Sequence, residues 1–506
     1  MIEKFAGVRC VVASEFLDPS HTGKSMIQVS LMISKFARDS GGKAVANFGI
    51  GTLARDTLIG LAGWLPHDIV RLRMIQRLPG TYRNADAPLQ RAQPQRKRSW
   101  TMYARVVGKG CLAVAIAAMA GLAITAVPSA AQDVRIGELN SYSRMAVFSV
   151  PYRNGMQLAQ EEINAKGGVM GGKKMDIVFR DDGGTPSDAV RVAEELLTRE
   201  NVSFLAGTFL SNVGLAVADF ANQKKVLFLA TEPLTDTITM GSGNKYTYRV
   251  RPSTYMQTKM LVDAVKAKGV KKWAIVAPNY EYGTSAAANF KKLIKIATPD
   301  AEIVGEQFPA LGKIDAGATV AAIENMKPDG IFNVTFGADL TVFVREGNTR
   351  GLFEKRTVVS LLTGEPEYMI PLGEETPEGW ITTGYPWDQI TTPEHKAFVA
   401  AYQAKFNDAP RLGSLLGYTV GYMMKDMLDK AGSTDTDKML AALNDLKSNT
   451  IAGPVTMRAL DHQSTLGAWV GETTLKDKKG AMKNWKYEDG ANYVFPEAEV
   501  KAARKE

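Results

Sequence analysis

The chain has 506 residues, 45% hydrophobic and 23% charged, a length that suits two or more domains and a composition that excludes disorder and a multi-span membrane protein. Its net charge of +8 is unevenly placed: residues 1–131 hold 17 Lys and Arg against 7 Asp and Glu, and the rest 44 against 46. The body is therefore near neutral and offers no field to a nucleic acid.

Residues 1–101 show no sustained hydrophobic period and one basic run, Arg91 to Arg98, so they read as an upstream extension outside the native fold or disordered. From Met102 the pattern changes. Arg105 and Lys109 precede an uncharged run from Cys111 to Val127, then Pro128, Ser129, Ala130 and Ala131 before Gln132. A basic start, an apolar middle and small residues at −3 and −1 predict a cleavable signal peptide over 102–131 and hence export; a membrane anchor is the alternative.

Beyond 132, apolar runs alternate with amphipathic stretches. Strands are predicted at 134–139, 175–180, 203–207 and 226–230, with helices at 150–166, after Thr185 and from Asn212. Thr185, Pro186 and Asp188 form a helix start, and Ala189, Val192, Ala193, Leu196 and Leu197 a 3.6-residue stripe. The alternation resumes with helices at 257–268, 284–297, 316–326 and 338–349 and strands at 273–278, 302–307, 330–335 and 357–362. So many strand–helix units imply an α/β fold of two doubly wound parallel-sheet lobes, whose ligands bind beyond the carboxyl ends of the strands.

Those ends hold Asn140–Arg144, Thr208–Asn212, Thr231–Thr235, Asn279–Gly283, Phe336 and Thr363–Glu365. They are mostly hydroxyls and aromatic rings, which suit holding a small molecule better than catalysis. Cys10 and Cys111 both precede residue 132, and only His395 and His462 follow it. Each histidine reads as a lone exposed imidazole, so no metal, cofactor or enzyme activity is expected. No dinucleotide glycine motif follows Leu139.

Four segments carry a family likeness: Ile163–Gly168, Arg180–Asp182, Gly207–Ser211 and Tyr282–Gly283. Together they resemble the leucine/isoleucine/valine-binding proteins, periplasmic receptors of ABC importers with the type I binding-protein fold. The resemblance implies two lobes joined by three hinge crossings, placed near 250–256, 385–391 and 452–460. Lobe 1 is then 132–252 plus 388–455, and lobe 2 is 253–387 plus 456–506. It also implies a ligand carboxylate held by Ser211 and the backbone of Phe209 and Asn212, with a hydroxyl from Thr231 or Thr235. Aromatic contacts would come from Phe148, Tyr280, Tyr282 and Phe336. The position that normally meets an α-ammonium reads Thr363, with Glu365 two residues on, which points away from branched-chain amino acids and toward an aromatic or other organic acid. Expected partners are permease and ATPase subunits, the receptor itself being a monomer; a sensory role with a separate signalling partner is the alternative.

Overall fold

The computed structural model describes residues 2–5, 8–11 and 133–504. The expected signal peptide and nearly all of the upstream stretch lie outside these residues. Within 1–115, strands β1 (Ile2–Phe5) and β2 (Val8–Val11) pair antiparallel.

Lobe 1 is built on β3 (Val134–Asn140), β4 (Met175–Asp181), β5 (Leu205–Gly207), β6 (Phe228–Ala230) and β7 (Thr247–Arg249), all parallel in the order β4-β3-β5-β6-β7. Its helices are α1 (Ala146–Ala165), α2 (Pro186–Thr198) and α3 (Ser211–Lys224). Lobe 2 contains α4 (Thr254–Val265), β8 (Lys272–Val276), α5 (Glu281–Ala297), β9 (Glu302–Gln307), α6 (Ala316–Met326), β10 (Gly330–Asn333), α7 (Gly337–Thr349), β11 (Thr357–Gly364), α8 (Pro366–Leu372) and β12 (Ile381–Gly384). Its parallel strands run β9-β8-β10-β11-β12. Both cores thus share one doubly wound order, in which the first strand lies between the second and third.

The predicted stripe on α2 behaves as expected: Ala189, Val192, Ala193 and Leu196 are buried and Leu197 half-buried, while the Thr185 hydroxyl accepts from Asp188 N at 3.3 Å. After β12 the chain returns to lobe 1 as α9 (Pro393–Phe406), α10 (Leu412–Ala431), α11 (Thr436–Leu443) and a hairpin of β13 (Leu446–Thr450) and β14 (Gly453–Met457). It then re-enters lobe 2 as antiparallel β15 (Ala468–Lys476) and β16 (Lys479–Glu488) on the β12 edge, and ends in α12 (Glu497–Ala503).

Two crossings between the lobes lie at 250–253 and 385–392. The third is later, at 458–467, because Val455 and Met457 alternate inward as β14 and are buried in the lobe 1 core. Neither later histidine is exposed, contrary to expectation. His395 is fully buried, its Nε2 2.7 Å from the Tyr385 hydroxyl, and burial pushes its pKa down to about 4. His462 stacks on Tyr248 at 3.9 Å and donates Nδ1–H to Thr247 O at 3.0 Å. His462 lies within the third crossing, where no hydrophobic period reveals burial, whereas His395 is on α9 and shares its buried face with Phe398 and Tyr402.

Candidate functional site

The lobes meet in a closed cleft whose walls come from strand ends of both sheets. Phe209, Ser211, Glu232, Leu234 and Arg251 face Tyr280, Tyr282, Phe336, Leu362 and Tyr368 around a narrow cavity. Backbone strain marks the approach from each lobe. Thr208 follows β5 at φ 63° although it is β-branched, and Leu362 sits near the end of β11 at φ 69°. Hydrogen bonds hold both conformations, from Thr208 N to Leu139 O at 2.7 Å and from Leu362 N to Thr383 Oγ1 at 3.1 Å. Non-glycine residues persist in this region when the surroundings over-determine them, which is common at ligand sites.

Three helices begin at the cavity without a side-chain cap. Ser211 opens α3, and Tyr280 and Phe336 are the N-caps of α5 and α7. Of the other helices, α2, α4, α6 and α11 are capped by Thr185, Ser253, Asp315 and Asp435, while α1, α8, α9 and α12 also lack a side-chain cap. In α3 the first intrahelical bond is Gly214 N to Leu210 O, so the amides of Ser211, Asn212 and Val213 have no intrahelical acceptor. Each such terminus favours an anion by roughly 0.3–2 kcal/mol. Ser211 Oγ accepts from Thr235 N at 3.2 Å, which leaves its own proton to be donated.

The apolar part of the wall is aromatic. Phe148 stacks on Phe209 with centroids 4.9 Å apart and lies 5.4 Å from Tyr368, while Phe336 lies 5.8 Å from Tyr282 and 6.2 Å from Tyr280. The Tyr282 hydroxyl is buried and without a hydrogen-bond partner. Rings in this number give a flat ligand edge and face contacts from both lobes.

Buried charge surrounds the rings. Arg251, on the first crossing, pairs with Glu365 of lobe 2, and both are almost fully buried. Glu232 accepts from Asn140 Nδ2 at 2.8 Å, and burial pushes its pKa up to about 8. Glu138 accepts from the Tyr142 hydroxyl and Asp182 from Ser141 Oγ at 2.8 Å; burial raises both carboxyls. Glu367, at the start of α8 in lobe 2, accepts from Leu412 N at 3.3 Å and Gly413 N at 2.9 Å at the start of α10 in lobe 1. Across the cleft, Thr235 and Thr237 hydroxyls donate to Glu281 Oε1 at 2.7 and 2.8 Å.

Of the residues expected to form the site, Phe209, Ser211, Tyr280, Tyr282 and Phe336 line the cavity. Phe148 packs on its rings and lines the wider mouth between the lobes. Five others stand elsewhere. Thr235 spends its hydroxyl on Glu281, Thr231 is fully buried outside the wall, and Asn212 is on α3 but not in the wall. Thr363 shares a 2.6 Å hydrogen bond with Ser360. Glu365 is drawn to Arg251 and lines a second, small cavity with Leu412, Leu415, Leu416 and Trp469. Glu232, Arg251, Leu362 and Tyr368 were not foreseen. Glu232 sits within a strand end already singled out and Arg251 within an expected crossing, but only the closed cleft brings them to one wall.

A family profile described as "Periplasmic binding protein" matches residues 134–481. The Leu/Ile/Val-binding protein homolog 7 of Brucella suis biovar 1 (strain 1330) is 26% identical over 344 residues, covering 64% of this chain and 84% of that protein. A solute binding protein of an ABC transporter from Rhodopseudomonas palustris BisB5, solved with 3,4-dihydroxy benzoic acid, has a TM-score of 0.63 at 23% identity, covering 71% of this chain and 98% of the other. The leucine-, isoleucine-, valine-, threonine-, and alanine-binding protein from Brucella ovis, in its closed conformation, has a TM-score of 0.65 at 19% identity, covering 72% and 97%.

Proposed function

Because the chain belongs to the periplasmic binding protein family, we propose that it is the extracytoplasmic receptor of an ABC importer, closing two lobes on an aromatic carboxylate. The observation that carries this reading is the cavity wall itself, which combines aromatic rings with Arg251 and three uncapped helix N-termini. The rings suit a flat apolar body, and the cationic end of the wall suits a carboxylate. The Rhodopseudomonas protein bound to 3,4-dihydroxy benzoic acid supports the same ligand class. Binding without turnover, a monomeric receptor, permease and ATPase partners, and export through cleavage near Gln132 belong to this proposal. Micromolar capture requires about −8 kcal/mol, within reach of stacking and a few charge-assisted hydrogen bonds after ordering costs.

Thermal-shift screening of the protein expressed from residue 132 tests the ligand class, since a ligand at about 100 times its Kd adds roughly 2.7 kcal/mol of apparent stability. A shift with benzoate or 4-hydroxybenzoate and little with leucine, isoleucine or valine is expected. A clear shift with leucine and none with the aromatic acids would overturn the reading.

Ser211→Ala is expected to weaken binding by roughly 1.5–3 kcal/mol, the value of a hydrogen bond to a charged group, with the fold intact. Calorimetry showing unchanged affinity would remove Ser211 from the site.

A further inference from the structure

The cleft holds an imbalance of charge. Arg251 and three helix N-termini favour an anion, yet Glu232 brings a carboxyl group into the same wall with 2% of its surface exposed. The groups around it compound the problem. Glu138 on β3, Asp182 after β4, and Glu365 and Glu367 on the lobe 2 side act on it with the same sign, and Tyr152 of α1 lies close; Arg251 is the opposing charge. Five buried carboxyls, of which Glu232, Glu365 and Glu367 share the one guanidinium of Arg251, cannot all stay ionised in a closed, water-poor cleft, and a ligand carboxylate would add another.

The hydrogen bonds decide which group yields. Glu365 is in contact with the guanidinium, whereas Glu232 is held by the neutral carboxamide of Asn140. A proton shared between them resides on the group without the cationic partner. We propose that Glu232 is a specificity-determining residue that carries a proton in the closed form and donates it in a hydrogen bond to the ligand carboxylate, selecting acids over α-amino acids. This rests on the reading of the ligand as an aromatic carboxylate. Protonated, Glu232 adds a donor to the anion site; ionised, it would repel the ligand. An α-ammonium would meet a neutral acid and a guanidinium, neither of which offsets its lost hydration. In the closed cleft burial pushes Glu232 and Glu365 alike up to about 8, so it is the Arg251 contact of Glu365 that leaves the proton on Glu232, and above that pH the proton must be taken from solvent when the ligand binds.

The test is calorimetry of 4-hydroxybenzoate binding at pH 8 in buffers of different ionisation enthalpy, on the wild type, Glu232→Gln and Glu365→Gln. Wild type is expected to take up a substantial fraction of a proton, up to one per ligand, and to lose affinity several-fold from pH 8.5 to 9.5. Glu232→Gln is expected to take up none and to bind with little pH dependence, while Glu365→Gln keeps the uptake. Binding without proton uptake in the wild type, or uptake unchanged in Glu232→Gln, overturns the role of Glu232 and leaves the ligand class standing. If no aromatic acid binds and leucine does, with release of a proton, the ligand class and the role of Glu232 both fall.

Discussion

Arg251→Met is expected to lower affinity for aromatic acids on the order of 10²–10³-fold and to destabilise the closed form. The guanidinium serves two groups at once. It lines the cavity from the first hinge crossing, and it neutralises Glu365, whose carboxyl is itself almost fully buried. Removing one partner of a buried pair strands the other at a cost of about 3–5 kcal/mol, although Glu365 can relieve part of this by taking up a proton. A second variant separates the two effects. In Arg251→Met/Glu365→Gln no charge is stranded, so stability against denaturant should return toward wild type while affinity stays low, because the cavity still lacks its cation. Calorimetry with 4-hydroxybenzoate and urea melts on both variants check this. Affinity of Arg251→Met within threefold of wild type would show that the ligand does not use the guanidinium.

That prediction concerns a residue whose function was not legible in sequence, and the reason is geometric. The strand–helix alternation from 134 to 362 could be read because buried parallel strands are continuous apolar runs and their helices carry stripes and caps such as Thr185. The aromatic half of the site could be read too, since Phe209, Tyr280, Tyr282 and Phe336 follow strand ends, where this topology gathers its loops. Arg251 becomes a cavity wall only when two lobes distant in sequence close on it. A single carboxyl in a turn, as at Glu232, carries no sequence signal of burial until the fold closes over it. The stretch after 362 resisted for another reason. Helix α10 carries Gly413, Gly417 and Gly421, which lower helix propensity, and these glycines are a packing requirement. A Cβ on Gly417 would lie 2.0 Å from Tyr152 O of α1, and one on Gly413 2.8 Å from Phe148 O. Tertiary contact between α1 and α10 overrides the local preference there.

Helix α10 also sets the second large effect, through Glu367. The Glu367 carboxylate lies in lobe 2, and the Leu412 and Gly413 amides it accepts from open a helix of lobe 1. These bonds therefore exist only when the lobes are shut, and in an open form water must serve both sides. Their net value adds to the closing equilibrium without any contact to the ligand. Glu367→Gln keeps one acceptor oxygen but sets an NH₂ group against the other backbone N–H and removes the charge that the helix start favours. A hydrogen bond to a charged group is worth roughly 1.5–3 kcal/mol, so the closed fraction should fall about 10- to 100-fold, and the apparent Kd should rise by the same factor. The loss should appear in the dissociation rate, because encounter with the open cleft does not involve Glu367. Stopped-flow dissociation and small-angle scattering with and without 4-hydroxybenzoate separate the steps: faster release and a more open ligand-free envelope are expected, with each lobe melting as in wild type. An unchanged dissociation rate would mean that the Glu367 contact contributes nothing to closure, and that the ligand, the Arg251–Glu365 pair and the bonds from Thr235 and Thr237 to Glu281 hold the lobes together.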